Sequence, residues 1–435
     1  MVSLSGIAKK SGVSKAAIFK HYKDKAAIFD EMKARFLDDI CEVLRTRAAY
    51  SRESVRRTVD GKNFLELSNY DLFYSIAYFF AKHPEYFGMI KRFCSMPHLL
   101  HQTLDIELGK RGVHHVPFEH PADGGGWRDS NGGECCRNEQ DFMRGTEGLY
   151  SFTTLLYFSM QYCSEEKGGD SIGATQFAEN ISRFLVTGWA ELRPLAGEEK
   201  ETLRNRCFVN PRELPETNRF FHALIAVTFK YGFTGITVER IAEEVGMAKS
   251  SIYAFYQNKD DLIQKLVQQE IGYFLDCISE KLDGLTDTAH IVYVFLHVVY
   301  AYFAVRKEII AVMVMHFSQM GKRKMLYGTI DEAKISKALL KLNALTVPEL
   351  GIKLDRFSRV EWLASLPASF LISMHRIGAM NGTVPMPGGS GNEIVARLYE
   401  ILGSSQSSKM SGCLLENVEE EIGFVSPQAG REHGS

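Results

Sequence analysis

The sequence predicts an all-α protein built from two tandem units, on three observations. Helix-type apolar periodicity runs through most of the 435 residues, and convincing stretches of period-two alternation are absent. A helix-turn-helix pattern occurs twice, at Leu4–Lys25 and at Thr237–Lys259. At a constant offset of 234 residues, Ile7, Ala8, Gly12, Lys15, Ile18, Tyr22 and Lys25 fall on identical residues of the second copy. Self-similarity at a fixed offset implies duplicated structural units.

Composition narrows the class. With 45% hydrophobic and 24% charged residues, the chain has the balance of a soluble globular protein with room for two to four domains. A formal net charge of −2 excludes a uniformly basic surface but not a local basic patch. Residues 1–25 hold six lysines (Lys9, Lys10, Lys15, Lys20, Lys23 and Lys25) against Asp24 alone. The eight cysteines are scattered, with only Cys135 and Cys136 adjacent. Neither a disulfide framework nor structural zinc is expected, and a reducing, cytoplasmic setting fits. Met1 is followed by polar, lysine-bearing sequence rather than a secretory signal. The most apolar run, Ile291 to Val305, is 15 residues long and contains His297. It is short of the roughly 20 residues of a bilayer span, so a buried core helix is expected and no membrane partner.

The elements follow in the same order twice. The first helix-turn-helix domain is placed at 1–45, its motif passing into a helix from Lys25 to about Ala49. A helical effector and dimerisation domain spans 46–195, with the aromatic segment Phe64–Phe93, a Gly-rich insertion at 112–148, and helices near Leu149–Cys163 and Thr175–Leu192. Residues 196–215 read as a polar, proline-punctuated linker. The second helix-turn-helix domain, 216–275, opens with a helix at Thr217–Tyr231 closed by Gly232, a residue suited to a helix C-terminus. A second helical domain covers 276–403, with a long helix from Asp260 to about Leu282 leading into it. Its aromatic segment is Ile291–Phe317, and its last helices lie near Ser358–Met380 and Asn392–Leu402. The tail, 404–435, is Ser-rich and then acidic, a composition of disordered chain.

Physical chemistry supports the motif. The Thr237 hydroxyl can satisfy a free amide of the first turn, and Glu239 there complements the helix dipole. Ile241, Ala242 and Val245 form a buried face, and Gly246 permits the reversal. Ser250 to Tyr256 is expected as the second helix. Short side chains at its entrance, Ala248, Lys249, Ser250 and Ser251, let the backbone approach a major groove. Tyr253, Tyr256 and Lys259 can reach phosphates, contacts that set register rather than sequence choice.

The pattern Thr-x-x-x-Ile-Ala-x-x-x-Gly-x-x-x-x-x-x-Tyr-x-x-Phe/Tyr-x-x-Lys resembles the TetR family of bacterial transcriptional regulators. Thr237, Ile241, Ala242, Gly246, Tyr253, Tyr256 and Lys259 fill it, and Gly232-Phe233 resembles the Gly-aromatic pair that precedes it. The resemblance implies a helical ligand-binding and dimerisation domain behind each motif, with the last two helices pairing in a four-helix bundle. In the first copy it places DNA contacts at Ser14, Lys15, Ala16, Phe19, Lys20, Tyr22 and Lys25. Two departures stand out: Phe19 replaces the motif tyrosine, and no helix precedes Ser3 to cover the core as Phe221, Leu224, Ile225 and Thr228 should in the second copy. Ile7, Ile18 and Tyr22 are therefore expected to be partly uncovered. Either the true start lies upstream of Met1, the favoured alternative, or the first unit is degenerate.

Other constellations carry less. His114, His115, His120, Cys135 and Cys136 share the insertion but match no zinc spacing, so no metal and no cofactor is expected. No catalytic or nucleotide fingerprint occurs, and no enzyme is expected. Aromatic residues in Phe64–Phe93 and Ile291–Phe317 are mostly core. Polar groups among them still suit an apolar effector pocket, with Tyr78, Tyr293, His297, Tyr300 and Met313 as candidates for an unknown small hydrophobic effector. The expected partner is a double-stranded DNA operator, read by a monomeric pseudo-dimer. The alternatives are a homodimer using only the second motif, or a small-molecule-binding protein with vestigial DNA motifs.

Overall fold

The repeat carries through to architecture. A computed structural model describes residues 4–50, 55–59, 62–87, 108–115, 139–164, 172–231, 235–306, 340–342, 345, 347–352, 356–381 and 391–403. The first unit opens with α1 (Leu4–Ser11), α2 (Lys15–His21) and the long α3 (Lys25–Tyr50). After β1 (Val55–Val59) and β2 (Lys62–Leu67) come α4 (Asn69–Lys82), β3 (Val113–His115), α5 (Glu139–Ser164) and α6 (Ala174–Thr187). A connecting helix, α7 (Gly197–Arg206), leads to the second unit. There α8 (Arg219–Tyr231) precedes α9 (Val238–Val245), α10 (Lys249–Ile252) and α11 (Lys259–Leu282). The core helix α12 (Thr288–Val305) follows, then a 3-10 turn at Pro348–Leu350, α13 (Arg356–Asn381) and α14 (Gly391–Gly403).

The fold is helical, as expected, with one addition. β1 and β2 pair antiparallel from Val55↔Glu66 to Val59↔Lys62, and β3 joins β2 in parallel with Leu65 opposite Val113. The sequence did carry a sign of this: Asp60-Gly61 between the strands is a strong two-residue hairpin signal. Two boundaries also shift. The ends of the insertion at 112–148 are ordered as β3 and the start of α5, while 116–138, with His120, Cys135 and Cys136, lie outside the described residues. The stretch expected as a linker contains α7, whose Leu203 is buried along with Cys207 and Val209 beyond it. Glu198 and Glu199 at its start and Arg204 and Arg206 at its end complement the helix dipole, which an eye trained on the prolines overlooks. Gly232, Phe233, the segment 307–339 and the tail lie outside the described residues.

Helix α12 is the centre of the second unit. It packs against α7, α11, α13 and α14, and every residue from Ile291 to Tyr300 is buried. Among the described residues it is the one helix long and apolar enough to cross a membrane, and here protein encloses it. In the first unit α4 packs against α3, α5 and α6, with Phe36, Phe79, Phe80 and Phe87 in ring contact.

The two units meet through α5, α6, α13 and α14, a four-helix arrangement within one chain. Trp362 of α13 sits at its centre, 4.9 Å from the Phe158 ring, 5.8 Å from Phe184 and 5.9 Å from Trp189. Its indole N–H donates to Thr154 Oγ1 at 3.1 Å, and the Tyr157 hydroxyl donates to buried Glu361 at 2.9 Å. Backbone joins the units as well: Trp189 N–H donates to the Leu402 carbonyl at 2.7 Å, and the Tyr399 hydroxyl to the Arg193 carbonyl at 2.6 Å. Apolar stripes on both sides are buried, Phe177, Ile181, Phe184 and Leu185 on α6 and Ile394, Val395, Leu398 and Ile401 on α14. At Gly351 (φ +63°) the chain turns beside Asn180, whose amide donates to the Leu350 carbonyl at 3.2 Å.

Candidate nucleic-acid interface

Each unit presents a two-helix head on a long supporting helix. In the second head, Thr237 caps α9 by accepting from the Arg240 amide at 3.3 Å. Gly246 ends the helix in the left-handed region (φ +74°), where a side chain would be strained. Asn258 caps α11 by accepting from Asp261 N–H at 2.9 Å. The first head repeats this build at the same offset. Gly12 has φ +67°, matching Gly246, and Asp24 accepts from Ala27 N–H at 2.9 Å in the place of Asn258, while Ser14 accepts from Ala17 N–H at 3.0 Å and adds a cap that the second head lacks. The cations repeat too: Lys15 lies 5.8 Å from the Phe19 ring centre and Lys249 lies 5.9 Å from that of Tyr253. Phe19 and Tyr253 are equally open, 48% and 47% exposed, so the substitution exchanges a hydroxyl without changing the presentation.

The second helices of the two heads differ in length. α2 has seven residues, whereas α10 has four and continues as a turn through Phe255 rather than as helix to Tyr256. The offset supplies the reason: Ser14 caps α2 with its hydroxyl, but Ala248 stands in its place before α10 and has nothing to donate or accept. A Ser or Thr cap is worth about 1 kcal/mol over alanine, enough to decide a helix this short.

The other foreseen residues divide between outward and inward roles. Ala248, Lys249, Ser250, Tyr253 and Lys259 are exposed, as are Ser14, Lys15, Ala16, Phe19 and Lys20, while Ser251 is half-buried. Thr237 is half-buried and occupied as a cap. Tyr256 is half-buried with its ring 5.6 Å from Phe220, and burial raises its pKa. Tyr22 is half-buried, its pKa raised by burial and by a hydrogen bond to Glu31. Lys25 begins α3, and nothing further is described of its side chain. The motif core is better covered in the second head. Ile252 is 1% exposed where Ile18 is 8%, and Ile241 is buried where Ile7 is half-buried, because Phe221 and Leu224 of α8 pack over the second motif.

Two features escaped sequence reasoning. Glu239 forms an ion pair with Lys249 across the two helices of the second head. Lys249 holds the Glu239 carboxyl down at about 2, and the lysine pKa is raised in turn. Spacing of ten residues gives no helical signal for such a pair, which depends on the Gly246 reversal. Phe255, 59% exposed beside α10, is the second. It is an apolar residue at a position a pattern of polar contacts does not flag.

The effector candidates are not one cluster. Tyr293 and His297 share a face of α12 with ring centres 4.1 Å apart, and Tyr300 lies about two turns beyond Tyr293. Tyr293 packs edge-on to Tyr399 of α14 at 5.4 Å, and burial raises its pKa. His297 Nδ1 is 2.9 Å from the Tyr293 carbonyl. Tyr78 belongs to α4 in the first unit, stacked 6.0 Å from Tyr74 with Lys82 5.7 Å from its ring. Met313 lies outside the described residues.

These heads define a class, the helix-turn-helix proteins that present a short helix outward from a helical body. The family model described as bacterial regulatory proteins, tetR family, matches residues 1–32 and 222–266, so two separate stretches of this chain are similar to that family. The fatty acid metabolism regulator protein of Bacillus subtilis (strain 168) is 26% identical over 68 residues, 16% of this chain and 35% of that protein. The chain thus matches about a third of that relative's length. Among solved structures, the fatty acid degradation regulator FadR from Bacillus halodurans is similar over 43% of this chain and 94% of that one, at 17% identity and a TM-score of 0.26.

Proposed function

We propose that the chain is a transcriptional regulator that binds a duplex DNA operator with both heads of a single molecule, the contact of α5 and α6 with α13 and α14 standing in for the usual dimer. The observation that carries this reading is the repetition, at a constant offset of 234 residues, of the left-handed glycine, the side-chain cap of the supporting helix and the lysine-over-ring pair. A symmetric pair of heads reads half-sites one helical turn apart, about 34 Å. Fusion frees the halves to differ, so the operator need not be palindromic. The DNA contacts assigned are Lys249, Ser250, Ser251, Tyr253 and Lys259, with Ser14, Lys15, Ala16, Phe19 and Lys20 opposite them. The names of the matched family and of the relative are those of regulators rather than enzymes.

The test is binding to a duplex selected from random sequence. Lys249→Ala and Tyr253→Ala should each weaken it by roughly tenfold, Tyr253→Ala near-uniformly across sequences, as loss of a phosphate contact does. Wild-type affinity in both variants would remove the recognition assignment.

Regulation is assigned to an apolar effector bound around α12. The relative's name makes fatty acids the first compounds to screen by thermal shift. Each compound that stabilises the protein should lower operator affinity by roughly five- to a hundredfold, the usual size of such coupling. Stabilisation without any change in DNA affinity would refute the regulatory part alone.

A further inference from the structure

The two heads are alike in backbone and unlike in charge. Leu4–Lys25 contains six lysines and one acid, whereas the equivalent window Val238–Lys259 contains Arg240, Lys249 and Lys259 against Glu239, Glu243 and Glu244. The reversal is positional. Lys9 and Lys10 on α1 stand where Glu243 and Glu244 stand on α9. Lys9, Lys10, Lys15, Lys20 and Lys23 are all exposed, and among the described residues none has an acidic partner within ion-pair reach. In the second head Lys249 is held by Glu239, whose place in the first is taken by uncharged Ser5. Arg240 is turned inward onto the Gly235 carbonyl and the Tyr231 ring. Helix α8 adds Arg219 and Lys230, each lying over an aromatic ring, which narrows the difference without closing it.

Phosphate attraction scales with the number of unpaired cations that meet the backbone, because each releases condensed counterions. Short side chains and aromatic edges at a groove entrance contribute little to that term. We propose that the heads divide the work on an unequal operator: the first head anchors one half-site through phosphate contacts of Lys9, Lys10, Lys20 and Lys23, and the charge-balanced second head discriminates sequence at the other. Glu239 is a positioning residue in this scheme. It reaches across the turn, holds the Lys249 ammonium over the Tyr253 ring, and withholds one cation from the phosphates. The longer, side-chain-capped α2 fits the anchoring role, since it offers a more rigid platform than the four-residue α10. This division rests on the regulator reading given above.

The experiment measures affinity of the full chain for its selected duplex from about 50 to 200 mM salt, where each phosphate contact contributes about 0.9 to the slope of log affinity against log salt. Replacing the four first-head lysines together (Lys9→Gln, Lys10→Gln, Lys20→Gln, Lys23→Gln) should lower the slope by about 3.6. Lys249→Gln alone should lower it by less than about one, and Glu239→Gln should raise it by about one by freeing the lysine. All these positions are exposed, and an unchanged melting temperature verifies folding. A loss of less than about one unit in the fourfold variant, or an equal loss from Lys249→Gln, overturns the division of labour while leaving DNA binding in place. Wild-type protein that selects no duplex at low salt overturns the regulator reading itself, and the division with it.

Discussion

Buried thiols show how single residues respond to this fold. Cys207 follows α7 and donates to the Leu203 carbonyl at 3.1 Å, and burial pushes its thiol up to about 12. A group whose folded pKa is raised stabilises the fold fully below its unfolded value, and that contribution is lost as pH rises toward the folded value. The window here runs from about pH 9 to about 12. Stability should therefore fall with alkalinity in that range, and Cys207→Ala should remove part of the fall when denaturation midpoints are followed against pH. Native protein at mild pH should leave Cys207 unmodified by iodoacetamide, with reaction appearing on denaturation. A rapidly labelled Cys207 in folded protein would contradict the burial. At this scale the sequence was legible where a role is local. The Thr237 cap and the Gly246 reversal follow from residue type alone, whereas Ser14, expected as a DNA contact, proves to be a cap. The Glu239–Lys249 pair does not, because the turn geometry has to be known first.

Elements were legible in proportion to their periodicity. The helices α3, α11, α12, α13 and α14 repeat apolar residues often enough to be found within a few residues of their ends. Helix α7 was missed because Leu203 is its one buried apolar residue, so its stability comes from end charges and from packing on α12. The strands β1 and β2 carry little alternation of their own, and the aromatic content that begins at Phe64 masks the Asp60-Gly61 signal between them. Between elements, the turn at Gly351 is the sharpest constraint on this fold. Its φ of +63° is strained for any residue with a Cβ, and a Cβ built there would lie 2.5 Å from the Asn180 amide nitrogen. Gly351→Ala should cost about 1–2 kcal/mol from backbone strain alone, read from chemical denaturation. Adding Asn180→Ser should recover only the steric part. Full recovery would mean that the backbone conformation is not the constraint.

For the molecule as a whole, the contact between units is the packing of α5 and α6 against α13 and α14 around Trp362. Trp362 is fully buried among Phe158, Phe184 and Trp189, and large-to-small changes at such a site cost about 3–5 kcal/mol. Trp362→Ala should destabilise the chain by that order. Leu398→Glu or Phe184→Glu should separate the halves, since a carboxylate cannot be accommodated between apolar faces. The intact chain should be monomeric by light scattering and occupy one operator per chain. A stable dimer insensitive to both glutamates would favour pairing between chains instead. The family resemblance implied that the last two helices of each unit pair in a four-helix bundle, but the contacts around Trp362 were not legible, because contacts some 200 residues apart leave no periodic trace.

The length of α11 has a mechanical consequence. Its 24 residues run without interruption from the cap at Asn258 beside the second head to Leu282 beside α12. At about 1.5 Å per residue the rod is about 36 Å long. Its far half is clamped in the core while its near half carries the head, which makes it a lever. A tilt of about 5° of the near half, about 18 Å long, moves the head by about 1.6 Å, roughly half the rise of one base pair. The 26-residue α3 gives the first head a lever of similar reach. Small rotations in the two cores are thereby magnified at the heads, and the separation of the heads is set by the angle between two rods.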